Sequence, residues 1–236
     1  MGLALAGPTA KALASEFDRM FAQSKDVQKP FARFRRGNHP PALDLGNNIA
    51  LLLGGPGRGR NAFVAQFVHD LETARDVSLA VPYFLPGSRL RRAIERVAIR
   101  GGRVRLLLPG VSDVQISRLA ARSLYRRLMN AGVEIYEYKI NILHAKCYLV
   151  DSAAFVGSSN LDVRSLHLNF ELMIRLGSEA DLQPARDWFE ESIQHSQRVD
   201  PAAWPGSRNI LTKLKERWAF FALAKFDPYF TRWLVQ

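Results

Sequence analysis

The sequence predicts an α/β fold built on a mixed, mostly parallel sheet. Between residues 49 and 138, short apolar runs alternate with amphipathic stretches of helical length. Gly and Pro close most of these segments, as at Pro82, Gly101-Gly102, Pro109-Gly110 and Gly132. After residue 144, three strand-like segments follow one another with short connections, which points to an antiparallel or mixed portion of the sheet. Strands separated by helices form right-handed βαβ units, and hence parallel neighbours.

The elements follow in order. Thr9–Gln23 has apolar residues at Leu13, Phe17, Met20 and Phe21, a helical spacing, with Thr9 as N-cap. Ser24–Asn48 is rich in Pro, Gly, Asn and basic residues and reads as a linker, so the chain divides into residues 1–48 and residues 49–236. Ile49–Leu53 is a buried strand. Asn61–Arg75 is a helix capped by Asn61, with Phe63, Phe67, Val68 and Leu71 on one face. Strands are expected at Val77–Val81, Val104–Leu108 and Val133–Tyr138, and helices at Ser88–Arg100 and Ser112–Asn130. Ala145–Val150, Ala153–Gly157 and Leu168–Leu176 complete the strands. Asp181–Gln194, Ile210–Ala224 and Asp227–Leu234 return to helix.

The chain has 236 residues, 47% apolar and 23% charged, which excludes a disordered, collagenous or low-complexity protein. Charge is less ordinary. Lys plus Arg total 33 against 22 Asp plus Glu, a formal net charge of +11. Such a field attracts phosphates, whether of nucleic acid, anionic lipid or a small molecule. Cys147 is the single cysteine, so neither an intrachain disulfide nor a Cys-based zinc site is expected, and a reducing compartment fits. The uncharged runs Leu45–Gly57 and Trp218–Ala224 are too short to span a membrane. The first 20 residues carry Lys11, Glu16, Asp18 and Arg19 and do not read as a signal peptide.

Candidate chemistry is concentrated between residues 144 and 171. On a strand, His144 and Lys146 share a face. An imidazole beside an ammonium is costly in a core and sensible around a phosphate. Asp151 follows, then Gly157-Ser158-Ser159-Asn160, in which Gly admits close backbone approach and Ser and Asn supply short polar donors. Glu171 stands in an otherwise apolar strand, where a charge needs a reason. Plainer readings exist. Asp151, Ser158 and Asn160 are also turn formers, Glu171 could be a surface strand residue, and His144 a satisfied core histidine. Cys147 points away from His144 and reads as core filler. His167 reads as a rim residue, and Arg164 either binds a second phosphate or braces its loop.

The pattern H-x-K-x4-D followed by G-S-x-N resembles the HKD motif of the phospholipase D superfamily. The flanking runs 158–166, Leu168-Asn169-Phe170-Glu171, Pro82-Tyr83-Phe84-Leu85-Pro86 and 108–114 resemble the C-terminal half of bacterial cardiolipin synthases. The resemblance implies a phospholipase D-like α-β-α sandwich and phosphatidyl transfer through a phosphohistidine. His144 would be the nucleophile and Glu171 would orient its other ring nitrogen. Lys146, Ser158 and Asn160 would cradle the phosphate oxygens, and Asp151, counted with His144, Lys146 and Glu171 among the catalytic candidates, would position Lys146 or the turn after it. No metal or cofactor is expected, since cations and donors supply the electrostatics. The implied partners are a phosphatidylglycerol-like anionic phospholipid and a membrane surface, with the protein cytoplasmic and peripheral at the inner face. A phosphodiesterase or nuclease and a catalytically incomplete phosphate-binding fragment are the competing readings, nucleic acid being the less favoured partner.

One departure matters. Enzymes of this kind use two HKD motifs, the second His serving as general acid. Here His39, His69, His167 and His195 lack the Lys and Asp partners, and Gly7-Pro8-Thr9 through Phe21 resembles the tail of a first half. The expectation is a chain that works as a homodimer or beside a complementary HKD half. For the C-terminal aromatics, Trp218–Leu223 with Arg217 and Lys225, and Tyr229–Leu234 with Arg232, two readings stand: an interfacial helix on anionic lipid, or a helix packed on the sheet. Arg33, Arg35 and Arg36 would bind headgroups or be solvated.

Overall fold

The computed structural model describes residues 2–26, 42–55 and 61–226. Arg33, Arg35, Arg36, His39 and the helix expected at 227–234 lie outside them, as does the Lys225 side chain. The elements are α1 (Gly7–Asp26), β1 (Leu43–Asp44), β2 (Ile49–Gly54), α2 (Ala62–Thr73), β3 (Asp76–Ala80), α3 (Ser88–Ile99), β4 (Arg103–Pro109), α4 (Gln115–Asn130), β5 (Glu134–Tyr138), β6 (Cys147–Val150), β7 (Ala153–Gly157), α5 (Val163–His167), β8 (Glu171–Leu176), α6 (Glu179–Gln194), β9 (Ser196–Arg198) and α7 (Ile210–Phe221). A π-helical turn, Ala222–Phe226, continues α7.

The nine strands form one sheet in the order β1-β2-β8-β7-β6-β3-β4-β5-β9. Only the β3–β4 and β4–β5 neighbours are parallel; every other pairing is antiparallel. The expectation of a mostly parallel sheet is therefore corrected. The βαβ rhythm does set direction, because β2, β3, β4 and β5 all run the same way. The crossover from β2 to β3 leaves room for three strands, however, and β6, β7 and β8 fill the gap as a meander. Local rhythm fixes the direction of a strand; adjacency is a long-range property.

Strand alternation gives the sheet two apolar faces. Val77, Leu79, Leu106, Leu108, Tyr148 and Val150 face Phe63, Phe67, Leu71 and Ile94 of α2 and α3, together with Tyr125 of α4. Ala80, Leu107, Cys147, Leu149 and Ala154 face Leu182, Ala185 and Phe189 of α6. The result is an α-β-α sandwich. Cys147 is core filler, and burial pushes its thiol up to about 12. Asn61 caps α2 through a bond from the Val64 amide, as its position suggested.

Several boundaries move for local reasons. Helix α1 begins at Gly7 rather than at Thr9. The residues expected to end the linker instead form a β1–β2 hairpin, turning on Gly46, Asn47 and Asn48 at positive φ. Ser112 folds its hydroxyl onto the Val114 amide and carbonyl, which delays α4 to Gln115. Residues 162–168 are occupied by α5, because the Asp162 carboxylate caps it through the Ser165 amide; the last long strand starts only at Glu171.

The tightest point of the sheet is the β7–β8 crossing. A Cβ at Gly157 would lie 2.1 Å from the Leu172 carbonyl oxygen and 2.8 Å from the Met173 Cα. Both are backbone atoms and neither can step aside. Gly157→Ala should therefore force the strands apart and cost about 2–4 kcal/mol, the range of overpacking and backbone effects. A urea unfolding midpoint within error of wild type would contradict this reading of the crossing.

Candidate active site

His144 and Lys146 lie in extended chain just before β6, which starts at Cys147 and not at Ala145 as the sequence suggested. The strand ends because its neighbour leaves. The Gly157 amide makes the last bond, to the Lys146 carbonyl at 3.4 Å, and the next amide, Ser158, turns to Leu172 of β8. The two signature residues therefore project from the end of the sheet. His144 is exposed, with the Tyr83 ring edge-on at a centroid distance of 6.3 Å. Lys146 is half-buried, and its Nζ donates to the His144 carbonyl at 2.9 Å.

Beneath them sits Glu171, buried although it opens a strand. Its carboxylate accepts from the Ser158 hydroxyl at 2.5 Å and from the Asn169 amide at 3.1 Å. Burial excludes the plain surface reading. The Ser158 hydroxyl in turn accepts from the Leu172 amide at 3.0 Å. Through this hydroxyl Ser158 ties Glu171 to the β7–β8 pair. Asn160 is less committed. Its Nδ2 sits 3.5 Å from the Ser165 hydroxyl, and its buried Oδ1 has no partner among the described residues. A half-turn of that amide presents an NH₂ where the oxygen now lies, the donor an anion requires.

Charge converges on Lys146. Burial lowers its pKa, while the carboxylates of Glu171, Asp113 and Asp162 pull it up. Asp162 is raised above the ordinary carboxyl range by burial, with Glu171 adding to the shift and the Ser165 and Arg164 amides opposing it. Tyr83 donates to Asp113 at 2.9 Å, and burial together with this bond pushes its phenol up to about 12. A parallel bridge between Phe84 and Leu161, with the Leu85 amide on the Leu161 carbonyl at 2.8 Å, clips the 82–86 segment to the loop after Asn160. A small, open cleft lies there, lined by Tyr83, Ser117, Asp162, Arg164 and Leu223 among others.

Asp151 is elsewhere. It lies beyond the opposite end of β6, roughly 20 Å of extended chain from His144. Its carboxylate accepts from the Arg75 and Asp76 amides at 2.9 and 2.8 Å, and its backbone sits at φ 46°. The expectation that it is catalytic is corrected, for a carboxylate capping two amides at the far edge of the sheet cannot touch the same phosphate. Among the other histidines, His69 is exposed on α2 near Glu72, His167 is exposed at the end of α5, and His195 caps α6.

Tyr83, Asp113, Asp162 and Asn169 were not assigned roles from the sequence. The flanking runs contained them, but their approach to Lys146 and Glu171 depends on the Phe84–Leu161 bridge and on the cap of α5, both long-range or side-chain features.

The sheet, the two helical layers and the cluster at its edge define a phospholipase D-like domain. The fold is shared with the phospholipase D family member Nuc of Salmonella typhimurium (TM-score 0.53, 15% identity, 64% of this chain and 98% of that one). It is also shared with a phosphatidylserine synthase of Haemophilus influenzae (TM-score 0.58, 17% identity, 84% and 51%). Within this class, residues 68–193 match the family described as cardiolipin synthase, PLD-like domain, and the chain belongs to that family. Cardiolipin synthase A of Serratia proteamaculans is 34% identical over 187 residues, covering 77% of this chain and 38% of its own length. The probable cardiolipin synthase YwiE of Bacillus subtilis is 27% identical over 183 residues, covering 77% and 36%. The chain thus spans little more than a third of these relatives.

Two outcomes follow from the site. Asp151→Ala should lose about 1–3 kcal/mol in urea unfolding, from two unsatisfied amides and a left-handed backbone, while Asp151→Asn keeps most of the stability; equal loss in both would refute the capping role. For Asp162, the folded protein holds a proton that the unfolded chain has released. That contribution is present in acid and is lost as pH rises from the ordinary carboxyl value through the raised one. Asp162→Asn keeps an N-cap acceptor without the titration. Its stability relative to wild type should therefore increase as pH rises from about 4 to 7, and a pH-independent difference between the two would contradict the shift.

Proposed function

We propose that the chain is the catalytic half-site of a phosphatidyltransferase of the cardiolipin synthase type, peripheral at the inner face of a membrane. The observation that carries the reading is the placement of His144, Lys146, Asn160 and buried Glu171 at the same end of strands β6, β7 and β8, with Lys146 in the field of Glu171, inside the matched region. One ring nitrogen of neutral His144 attacks the phosphorus of a phosphatidylglycerol-like lipid. The P–N bond forms as the P–O bond to glycerol breaks, and the departing alkoxide takes a proton from a general acid. The hydroxyl of a second phospholipid then attacks the phosphohistidine, loses its proton to the same group now acting as base, and restores His144.

Lys146 sits where an ammonium offsets the growing charge on the nonbridging oxygens, and the Asn160 amide adds a donor. Glu171 has a further lone pair on each oxygen, so it can accept the second ring N–H of His144 and hold the imidazolium that forms. The general acid is the residue that this half does not supply. Among the described residues, His69, His167 and His195 are not grouped with a Lys and an Asp, and the relatives extend well beyond the matched region. A second copy or a complementary HKD half would bring the acid.

The test is phosphohistidine trapping with labelled phosphatidylglycerol vesicles, with the oligomer mass read on the same sample. Wild type should retain acid-labile label that His144→Ala loses entirely and Glu171→Gln lowers on the order of a hundredfold or more. Label persisting in His144→Ala would overturn the assignment of the nucleophile. Label on wild type released by water alone, with added lipid hydroxyl never incorporated, would make the chain a phosphodiesterase.

A further inference from the structure

Helix α7 has two apolar faces. On the inner one, Ala219 and Phe220 pack against the core beside α4, and buried Glu216 is neutralised by Arg208 at 2.5 Å. This matches part of the packed-helix reading, with α4 rather than the sheet beneath. The outer face carries Ile210, Leu211, Leu214, Trp218 and Phe221, which expose 82%, 67%, 52%, 64% and 47% of their surface. At 3.6 residues per turn these five fall within an arc of roughly 100°, centred opposite Glu216 and Ala219. Lys213 and Arg217 border the arc on one side and Lys215 on the other, all three exposed. The helix's one acidic residue, Glu216, faces inward, so its outward charges are all positive.

A contiguous apolar stripe of this kind is unusual in water without a partner. The charges decide which partner. Two copies of α7 placed face to face would bring cations against cations with no acid between them. A bilayer of anionic lipid answers both features, taking the apolar arc into the acyl boundary while the border cations extend to the phosphates. Location adds a second argument. Leu223, in the π turn that continues α7, lines the cleft beside Tyr83, Asp162 and Arg164. The helix therefore runs into a cleft whose Tyr83 ring lies edge-on to His144.

We propose that α7 is an interfacial helix that lies in the plane of an anionic lipid surface and sets the Tyr83 cleft, beside His144, against the headgroups. The second half of this statement rests on the lipid-substrate reading above; the docking does not. The experiment floats the full chain with vesicles of equal phosphatidylcholine and phosphatidylglycerol, and with phosphatidylcholine alone. Wild type should float with the first and remain behind with the second. A Lys213→Gln, Lys215→Gln, Arg217→Gln triple variant should bind on the order of a hundredfold more weakly at 0.1 M salt. A Leu214→Ser, Trp218→Ser double variant should not float at all. Circular dichroism and urea midpoints of both should match wild type, since every changed side chain is exposed. His144→Ala should float normally and carry no label, so loss of the catalytic reading and loss of the docking reading remain separable. Flotation unchanged in both surface variants would overturn the proposal. So would a wild-type dimer that the double variant converts to monomer while flotation stays intact, for the face would then cover a second copy.

Discussion

The contact between β7 and β8 at Gly157 determines where the chemistry of this domain can be. With no side chain there, the Leu172 carbonyl comes within van der Waals reach of the Gly157 Cα, and Ser158 can bond to Leu172 through both its amide and its hydroxyl. That hydroxyl in turn holds Glu171. On its other side Glu171 pairs with Gly54 of β2, where an added Cβ would meet the Asn61 side-chain amide at 3.1 Å and Glu171 itself at an ordinary 3.5 Å. A buried carboxylate without partners costs several kcal/mol. Here two charge-assisted hydrogen bonds and the nearby Lys146 ammonium offset the cost. Glu171 is tolerated in an apolar strand because these partners surround its carboxylate.

Strand β6 separates the two ends of the signature. Lys146 precedes it at the chemical edge and Asp151 follows it at the other, where its carboxylate closes the start of β3. The four residues between them are the strand itself, with Tyr148 and Val150 in one core and Cys147 and Leu149 in the other. The spacing between Lys and Asp in the pattern is then a length, the run of sheet needed to carry the backbone from the turn that Asp151 stabilises to the edge where His144 emerges. A residue can be part of a catalytic signature for reasons of length and turn geometry, without touching substrate.

Much of this was legible in the sequence, and what was not shares a cause. The elements from Ile49 to Tyr138 follow from period and punctuation, because Gly101-Gly102 and Pro109-Gly110 act locally. Asn61 could be assigned as a cap for the same reason. Lys146 and Glu171 stand out as charges in apolar surroundings. The insertion of β6–β8 between β2 and β3 has no local signal, so the pairing of the sheet was misjudged even though strand directions were right. The two-way commitment of Ser158 and the convergence of Asp113 and Asp162 on Lys146 depend on contacts between distant segments. The strand expected from Leu168 starts only at Glu171, because α5, capped by the Asp162 carboxylate on the Ser165 amide, ends at His167 with Leu168 as its C-cap.

The electrostatics of the half-site carry a final implication. The chain as a whole is strongly basic, with a formal net charge of +11, yet Lys146 is the ammonium facing three carboxylates, Glu171, Asp113 and Asp162. Long-range attraction of phosphate therefore comes from the general field, which steers and is screened by salt. Stabilising a phosphoryl group as it gains charge is a short-range task, and Lys146 meets it with three acids nearby. Two features ease the imbalance locally. Asp162 is held toward its neutral form by burial, and Asp113 is occupied by the Tyr83 hydroxyl. Arg164, which lines the same cleft as Tyr83 and Asp162 and whose charge opposes the rise of the Asp162 carboxyl, supplies a second cation there.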